Sequence, residues 1–184
     1  MRFRIDEIKD DGLILESSTP WDDLPILVEI ASSGDCEFFG PVRLQARAQR
    51  VGEMVEIDGT LAIPVKFQCG GCLREYREDL VCRFDLTFAR ELPVVEDEDS
   101  GEEAELTSED LGITLFHGDE IDLAESIQEQ VAISLPVRRR CQPECKGLCS
   151  NCGADLNAAD CGCSRTNINL KFAALKDFKV DKSS

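Results

Sequence analysis

Cysteine spacing is the strongest constraint on what this 184-residue chain can fold into. Six of its ten cysteines lie in the stretch RRRCQPECKGLCSNCGADLNAADCGC, residues 138–163. The chain also has two C-x-x-C turns, CGGC at 69–72 and CSNC at 149–152. Such a turn brings two sulfurs together on one ion, which is typical of zinc sites. The spacing therefore predicts a fold in which distant cysteines meet around a metal.

Eight of the cysteines form four sequence pairs, enough for two four-cysteine sites. The preferred arrangement joins the CGGC pair with Cys141 and Cys145, and leaves the last four cysteines as a compact site in the tail. The alternative is a single ion in the tail, so we expect one or two Zn²⁺ ions. Iron–sulfur chemistry competes, but the spacing does not resemble that of ferredoxins. The predicted ligands are Cys69, Cys72, Cys141, Cys145, Cys149, Cys152, Cys161 and Cys163.

The two remaining cysteines, Cys36 and Cys82, stand outside these pairs. Cys82 lies on the apolar phase of a predicted strand, and we expect it to be a buried thiol. The first residues, MRFRIDEIKDDG, lack the apolar run of a secretory signal, and no stretch reaches the roughly 20 apolar residues of a membrane span. We therefore expect a cytoplasmic protein, in which metal-bound or free thiols are more common than disulfides.

A thiol–disulfide redox protein that uses Cys69 and Cys72 is the alternative function. In thioredoxin-like proteins the C-x-x-C pair lies at a helix N-terminus, which lowers the thiol pKa. Here the flanking segments, AIPVKFQ and LREYRED, have the alternation of strands, which disfavours that function. The chain has one histidine, His117, and neither a phosphate-binding loop nor a dinucleotide fingerprint. We expect a protein that is not an enzyme and has no small-molecule substrate.

Charge is segregated along the chain. The formal net charge is −17, but residues 96–130 alone contain fourteen acidic and no Lys or Arg side chains. Residues 131–184 contain nine basic and five acidic side chains, so the cysteine-rich tail is basic. A basic patch there could contact RNA phosphates, although a solvated basic surface is an equally good interpretation. The candidate RNA contacts are Arg138, Arg139, Arg140, Lys146, Arg165 and Lys171.

Apolar periodicity predicts an α+β fold. Residues 42–49, 54–67 and 80–88 alternate between apolar and polar, which indicates strands. Gly52 and the pair Asp58-Gly59 are candidates for a turn or bulge. The spacing in 122–133 predicts a helix with Asp122 as cap and Glu125 in a capping box. A second helix is predicted at 169–178. The expected architecture is an antiparallel β-meander or small barrel-like sheet with a packed helix and a cysteine-rich zinc-binding tail.

These patterns divide the chain into four segments. Residues 1–95 form a β-rich platform that carries the CGGC hairpin. Residues 96–120 form an acidic flexible loop, which could serve as a protein–protein interaction module that grips a basic ribosomal protein. Residues 121–136 form a core helix of the same domain. Residues 137–184 form the zinc tail, with a short C-terminal helix.

The order of these motifs resembles the YceD-type large ribosomal RNA subunit accumulation proteins. The most specific block is C-K-G-L-C-x-x-C-G-x-x-L-N, at Cys145 to Asn157. The resemblance implies a bacterial cytoplasmic factor in ribosome biogenesis that supports accumulation of large-subunit (23S) ribosomal RNA. It also implies a partner that is ribosomal RNA or a large-subunit ribosomal protein, and no catalytic activity. Many members lack the last cysteines, which implies separable roles for the two cysteine groups.

Overall fold

The computed structural model describes residues 1–92, 95–96, 103–104, 107 and 111–163. In chain order the strands are β1 (Arg2–Arg4), β2 (Leu13–Thr19), β3 (Glu37–Phe38), β4 (Val42–Val51), β5 (Met54–Gln68), β6 (Glu75–Ala89), β7 (Val95–Glu96), β8 (Glu103–Ala104), β9 (Ile113–Leu115) and β10 (Glu120–Asp122). The longer helices are α1 (Pro25–Ser32) and α2 (Ala124–Ser134). The chain thus combines helices with sheets, which confirms the mixed class expected from its periodicities.

The main sheet has the order β2-β4-β5-β6-β9, and β3 pairs with part of β5. Strands β5 and β6 form a long antiparallel hairpin, in register from Met54 opposite Ala89 to Gln68 opposite Glu75. Residues 69–74, CGGCLR, connect the two strands at the far end of this hairpin. The CGGC pair is therefore held at the tip of the most extensively paired element of the fold.

One face of the sheet is covered by the two helices. Because successive strand residues point to opposite faces, the buried residues of β4 and β5 alternate along each strand and lie on the face that packs into the main core. From α1, Leu27 is fully buried in this core, as are Ile127 and Val131 from α2. Gln128 of α2 is also buried, and its Oε1 accepts a hydrogen bond from the Ile26 N–H at 2.8 Å. This side chain ties the two helices together and satisfies a donor in the first turn of α1.

Asp58-Gly59 is not a turn, in contrast to the sequence prediction. Strand β5 continues through it, with Gly59 opposite Ala46 on one side and Phe84 on the other. A Cβ atom at Gly59 would lie 2.6 Å from the Cβ of Ala46 and 2.5 Å from the Gln45 carbonyl oxygen. Glycine is needed here because the neighbouring strand approaches closely, not because the chain reverses.

The predicted capping of α2 is confirmed only in part. The helix begins at Ala124, with Leu123 at the N-cap and no side-chain cap. Asp122 belongs to β10, where it pairs with Arg2 of β1, so it is extended backbone one residue before the cap. Its Oδ1 still accepts a hydrogen bond from the Ala124 N–H at 3.0 Å. The ladder between β1 and β10 therefore determines where this helix starts.

The sheet is open within the described residues, so barrel closure is not confirmed. Strands β2 and β9 form its two edges. The pairing of β6 with β9 is parallel, which departs from a purely antiparallel meander. Helix α1 was not predicted, because its apolar segment LPILVEI is too short for helical periodicity to be distinguished from that of a strand.

Several sequence predictions fall largely or entirely outside the described residues. The acidic loop at 96–120 is described only in part, including the short β7–β8 ladder and the segment from residue 111 onward. The predicted helix at 169–178 lies outside them, as do Arg165 and Lys171. Among the described residues, no helix combines the length and apolar content needed to cross a membrane.

Candidate metal centre

The CGGC turn at the tip of the β5–β6 hairpin is a compact knuckle. The Leu73 N–H donates to the Cys69 carbonyl at 2.9 Å, and the Cys69 N–H donates to the Arg74 carbonyl at 2.9 Å. The Gly71 N–H points at the Cys69 sulfur, with an N to Sγ distance of 3.4 Å. Leu73 lies in the left-handed region at φ +61°, which is unusual for a residue with a side chain.

The CSNC turn in the tail repeats this geometry. The Gly153 N–H donates to the Cys149 carbonyl at 2.9 Å, and the Cys149 N–H donates to the Ala154 carbonyl at 2.8 Å. Gly153 occupies the left-handed position with φ +74°, as Leu73 does in the first turn. The two C-x-x-C segments are therefore the same local structure, built once on a sheet hairpin and once in the tail.

The first group of sulfurs joins the hairpin to the segment after α2. We call it the hairpin site: Cys69, Cys72, Cys141 and Cys145, whose Sγ atoms all lie within 4.8 Å of one another. The Sγ atoms of Cys69 and Cys145 are 3.7 Å apart, and those of Cys72 and Cys141 are 3.6 Å apart. A tetrahedral ion with metal–sulfur bonds of about 2.3 Å places its ligands roughly 3.8 Å apart. The separations fit a zinc tetrahedron and are far too long for a disulfide.

The second group lies wholly within the tail. We call it the tail site: Cys149, Cys152, Cys161 and Cys163, whose Sγ atoms also lie within 4.8 Å of one another. Its cysteines are more accessible than those of the hairpin site, because Cys152 is exposed and Cys161 and Cys163 are only half-buried. The structure thus brings together the same two sets of four that the sequence pairing preferred. Each set has the donors that zinc takes in closed four-sulfur sites.

The thiols of each site have opposed pKa shifts. The Cys72 and Cys141 N–H groups stabilise the Cys69 thiolate and lower its pKa to about 6. Burial and the neighbouring thiols raise the pKa of Cys141 to about 12. In the tail site, the Cys152 and Asn151 N–H groups lower the pKa of Cys149 to about 6, while the Cys152 and Cys161 side chains raise that of Cys163 to about 12. Four close thiolates repel one another unless a cation lies between them, so the four thiols of a site do not all ionise together without one.

Asn157, which lies in sequence between the two cysteine pairs of the tail site, contacts the hairpin site. Its Nδ2 donates to the Cys145 sulfur at 3.5 Å, and its Oδ1 accepts from the Lys146 N–H at 2.8 Å. Burial opposes ionisation of Cys145, but hydrogen bonds from the Gly147 N–H and the Asn157 side chain outweigh it and lower the Cys145 pKa. The Asp155 side chain in turn accepts from the Asn157 N–H at 2.9 Å and from Arg74 at 3.2 Å. Asn157 ends the motif that begins at Cys145, but spacing alone did not reveal this role.

Backbone contacts dock the tail knuckle onto the CGGC knuckle. The Leu148 N–H donates to the Gly71 carbonyl at 2.9 Å, and within the tail the Leu156 N–H donates to the carbonyl of Gly147, which lies against Gly71. Leu148 packs beside Cys69, Cys72 and Cys145 in a small apolar cluster separate from the main core. Folding of the tail site and completion of the hairpin site are therefore physically connected.

The arginines after α2 have different surroundings. Arg139 is largely used inside the fold: its Nη1 donates to the Asp35 carbonyl, and its guanidinium lies 5.6 Å from the centre of the Phe67 ring. Arg140 is exposed, although its Nη1 donates to the Cys145 carbonyl at 2.8 Å. Arg138 and Lys146 are exposed. The candidate RNA contacts thus do not form one uniform patch.

The two cysteines outside the pairs belong to neither group. Cys36 is buried against the main core at 8% exposure. Cys82 was expected to be buried and is instead half-buried at the margin of that core. The Cys82 side chain packs against the main core but remains partly accessible to solvent.

A family model described as "Large ribosomal RNA subunit accumulation protein YceD" matches residues 57–179. An uncharacterized protein of Mycobacterium tuberculosis H37Rv is 30% identical over 132 residues, covering 72% of this chain and 59% of that protein. One from Mycobacterium leprae is 28% identical over 120 residues, covering 65% and 51%. A chloroplastic maize protein named large ribosomal RNA subunit accumulation protein YCED homolog 1 is 25% identical over 148 residues, covering 70% and 50%. The matches span little more than half of these relatives, and no solved structure matches.

Proposed function

The chain belongs to the YceD family of large ribosomal RNA subunit accumulation proteins, and from this membership we propose that it is a non-catalytic zinc-binding factor in ribosome biogenesis. In this role it supports accumulation of large-subunit (23S) ribosomal RNA in the cytoplasm of a bacterium. Its direct partner is ribosomal RNA or a large-subunit ribosomal protein.

The observation that carries zinc binding is the convergence of cysteines from two distant segments. The CGGC turn and Cys141 are about seventy residues apart, and the separation of 3.6 Å between Cys72 and Cys141 matches one edge of a zinc tetrahedron. Four sulfurs leave no open coordination position, which favours a structural ion over a catalytic one. When bound, the ion would hold the segment after α2 against the hairpin, which the small apolar cluster there could not do alone.

The redox alternative has less support. The CGGC pair lies at a β-hairpin tip instead of a helix N-terminus, and Cys69 and Cys72 are 0% and 7% exposed. A protein substrate would have to displace Cys141 and Cys145 to reach these sulfurs. The interaction-module alternative depends on the acidic loop, most of which lies outside the described residues, and it stays a prediction.

Metal stoichiometry tests the zinc assignment. We expect anaerobically purified, colourless protein to contain two equivalents of zinc. Cys69→Ser/Cys72→Ser and Cys161→Ser/Cys163→Ser should each lose one equivalent, because they empty different sites. Cys36→Ser/Cys82→Ser is the matched control and should retain both, since these thiols lie outside both groups. Metal-free protein, or a brown iron–sulfur protein, would contradict the proposal.

The role in ribosome biogenesis is tested separately in cells. Depletion of the protein should lower the ratio of large-subunit to small-subunit ribosomal RNA, and wild-type protein supplied in trans should restore it. Complementation by Cys69→Ser/Cys72→Ser should fail if the hairpin site is needed. An unchanged ratio after depletion would reject this function.

A further inference from the structure

A groove of about 440 Å³ lies beside the hairpin site, between the start of β6 and the segment that follows α2. From β6 it is lined by Tyr76, Arg77 and Glu78, and from the other side by Pro136, Arg138, Arg140, Cys141, Gln142 and Pro143. Two prolines restrict the backbone of the second wall. Cys141 lines the groove and also belongs to the hairpin site, so the wall formed by the segment after α2 is connected to that site.

The charge of this groove is opposite to that of the chain. Three exposed arginines, Arg77, Arg138 and Arg140, line it together with one carboxylate, Glu78. The chain as a whole has a formal charge of −17, whereas arginines outnumber carboxylates three to one in this groove. An anion would be attracted here and repelled elsewhere on much of the molecule.

Two of the three guanidinium groups are oriented by neighbours. Arg140 donates one of its five N–H groups to the Cys145 carbonyl. The Arg77 guanidinium lies 4.8 Å from the centre of the Phe39 ring, and that ring is 43% exposed. Among the described residues, no other hydrogen bond or ion pair is seen for the Arg77, Arg138 and Arg140 guanidinium groups, and the exposed Phe39 ring lies next to Arg77. Oriented guanidinium groups bind phosphates in a bidentate manner, and an adjacent ring can stack on a base.

We propose that this groove, the arginine groove defined by Arg77, Arg138 and Arg140, binds the sugar–phosphate backbone of a single-stranded RNA segment. The inference rests on the proposed function and specifies its contact surface. It adds Arg77, which lies outside the basic tail and has no motif around it. Two of the candidate RNA contacts are not part of the arginine groove. The Arg139 guanidinium packs on Phe67, and Lys146 does not line the groove.

The geometry also explains why a metal site lies next to an RNA surface. Arg140 is held by the carbonyl of a hairpin-site cysteine, and Cys141 is itself part of the groove wall. A metal in the hairpin site would hold the two walls at a constant separation. Loss of the metal should therefore weaken RNA binding even though no metal ligand contacts the RNA.

The test uses the zinc-loaded full chain, a labelled oligouridine and a single-stranded fragment of large-subunit ribosomal RNA, with binding followed by fluorescence anisotropy. Arg77→Glu and Arg138→Glu should each weaken binding to both probes about tenfold and lower the salt dependence by about one counterion. Arg77→Lys should retain most of the affinity. The matched control is Arg83→Glu, an exposed arginine on the same strand and face as Arg77 but outside the groove. It should bind within about twofold of wild type.

Metal content and thermal stability of each variant establish that it folds. Equal loss of binding in Arg77→Glu and Arg83→Glu would overturn the groove, because it would indicate attraction by overall charge. No RNA binding by the wild-type chain, or displacement of RNA by an acidic protein that holds the groove more tightly, would also overturn it. None of these results affects the proposed function, which is tested separately by metal content and by the ribosomal RNA ratio after depletion.

Discussion

Leu73 and Gly153 occupy equivalent positions, each directly after the second cysteine of a knuckle. Both have positive φ, +61° and +74°. A left-handed conformation costs a residue with a Cβ roughly 1–2 kcal/mol, while glycine adopts it freely. Leu73 is 55% exposed, so little of this cost is offset by burial of its side chain. The hairpin knuckle therefore stores strain that the tail knuckle avoids.

This difference leads to a stability prediction at Leu73. In zinc-loaded protein, the free energy of unfolding of Leu73→Gly should exceed that of Leu73→Ala by about 1 kcal/mol, because only glycine removes the Cβ that causes the strain. Leu73→Ala is the matched control, since both variants lose the same exposed side chain. Chemical denaturation followed by circular dichroism measures the difference. Equal stabilities would show that the knuckle does not impose the strain.

At the scale of elements, the CGGC and CSNC knuckles share one hydrogen-bond pattern and contact each other directly. One closes the β5–β6 hairpin, and the other is presented by the tail. Their contact is direct, through the Leu148 N–H and the Gly71 carbonyl, and is extended by Asn157 and Asp155. Hydrogen bonds to a thiolate reduce its charge and orient it, which is how residues beyond the ligands tune a metal site.

Asn157 should therefore affect metal affinity without being a ligand. Asn157→Ala is expected to lower the zinc affinity of the hairpin site about 10–100-fold, because Cys145 loses an N–H donor and the loop at Lys146 loses its acceptor. Competition with a chromophoric chelator measures this affinity.

Asn157→Asp supplies the comparison for that experiment. It keeps the oxygen that accepts from the Lys146 N–H but replaces the donor to Cys145 with a carboxylate beside a thiolate. It should bind zinc at least as weakly as Asn157→Ala. If Asn157→Asp instead binds like wild type, the hydrogen bond to sulfur is not what stabilises the site.

For the whole molecule, the two cysteine sites join parts that otherwise share little apolar surface. The main core lies between the sheet and the two helices, and the cysteines of the hairpin site belong to a separate small cluster. A metal bound as proposed would therefore hold the tail and the arginine groove on an otherwise self-contained fold. The groove depends on this connection, because one of its walls belongs to β6 of the main sheet and the other to the segment that follows α2.

The protonation of the cysteine thiols predicts that zinc affinity changes with pH. Cys141 and Cys163, with pKa values of about 12, retain protons at neutral pH, while Cys69 and Cys149, with pKa values of about 6, are mostly ionised. Zinc binds thiolates, so binding must displace the retained protons. Affinity should rise with pH and fall about tenfold per unit of acidification for each proton displaced.

Zinc competition titrations between about pH 6 and pH 8 test this effect, with calorimetry in buffers of different protonation enthalpy to count the protons. Cys36→Ser should give the same pH profile, because Cys36 lies outside both sites. An affinity that does not change over this range would mean that the thiols are already ionised before the metal arrives.

Local patterns determined much of this protein. Alternation over 42–49, 54–67 and 80–88 predicted the central strands, and C-x-x-C spacing predicted the two cysteine turns. Both are properties of neighbouring residues, so they can be read from short stretches. The order of the cysteine motifs was sufficient to indicate the YceD family.

The tertiary structure decided what depends on contacts between distant segments. Gly59 lies against Ala46 inside a continuous strand and not at a turn. Asp122 pairs with Arg2 of β1, while its side chain accepts a hydrogen bond from the Ala124 N–H. Arg139 is not part of the arginine groove, because it contacts Asp35 and Phe67. Arg77 lines the groove although it lies on β6, far along the chain from the other two arginines. Cys72 and Cys141 are sixty-nine positions apart in sequence, and their sulfurs also come together only through the tertiary fold. Spacing supplies candidate ligands, but only the path of the chain brings their sulfurs within reach of one ion.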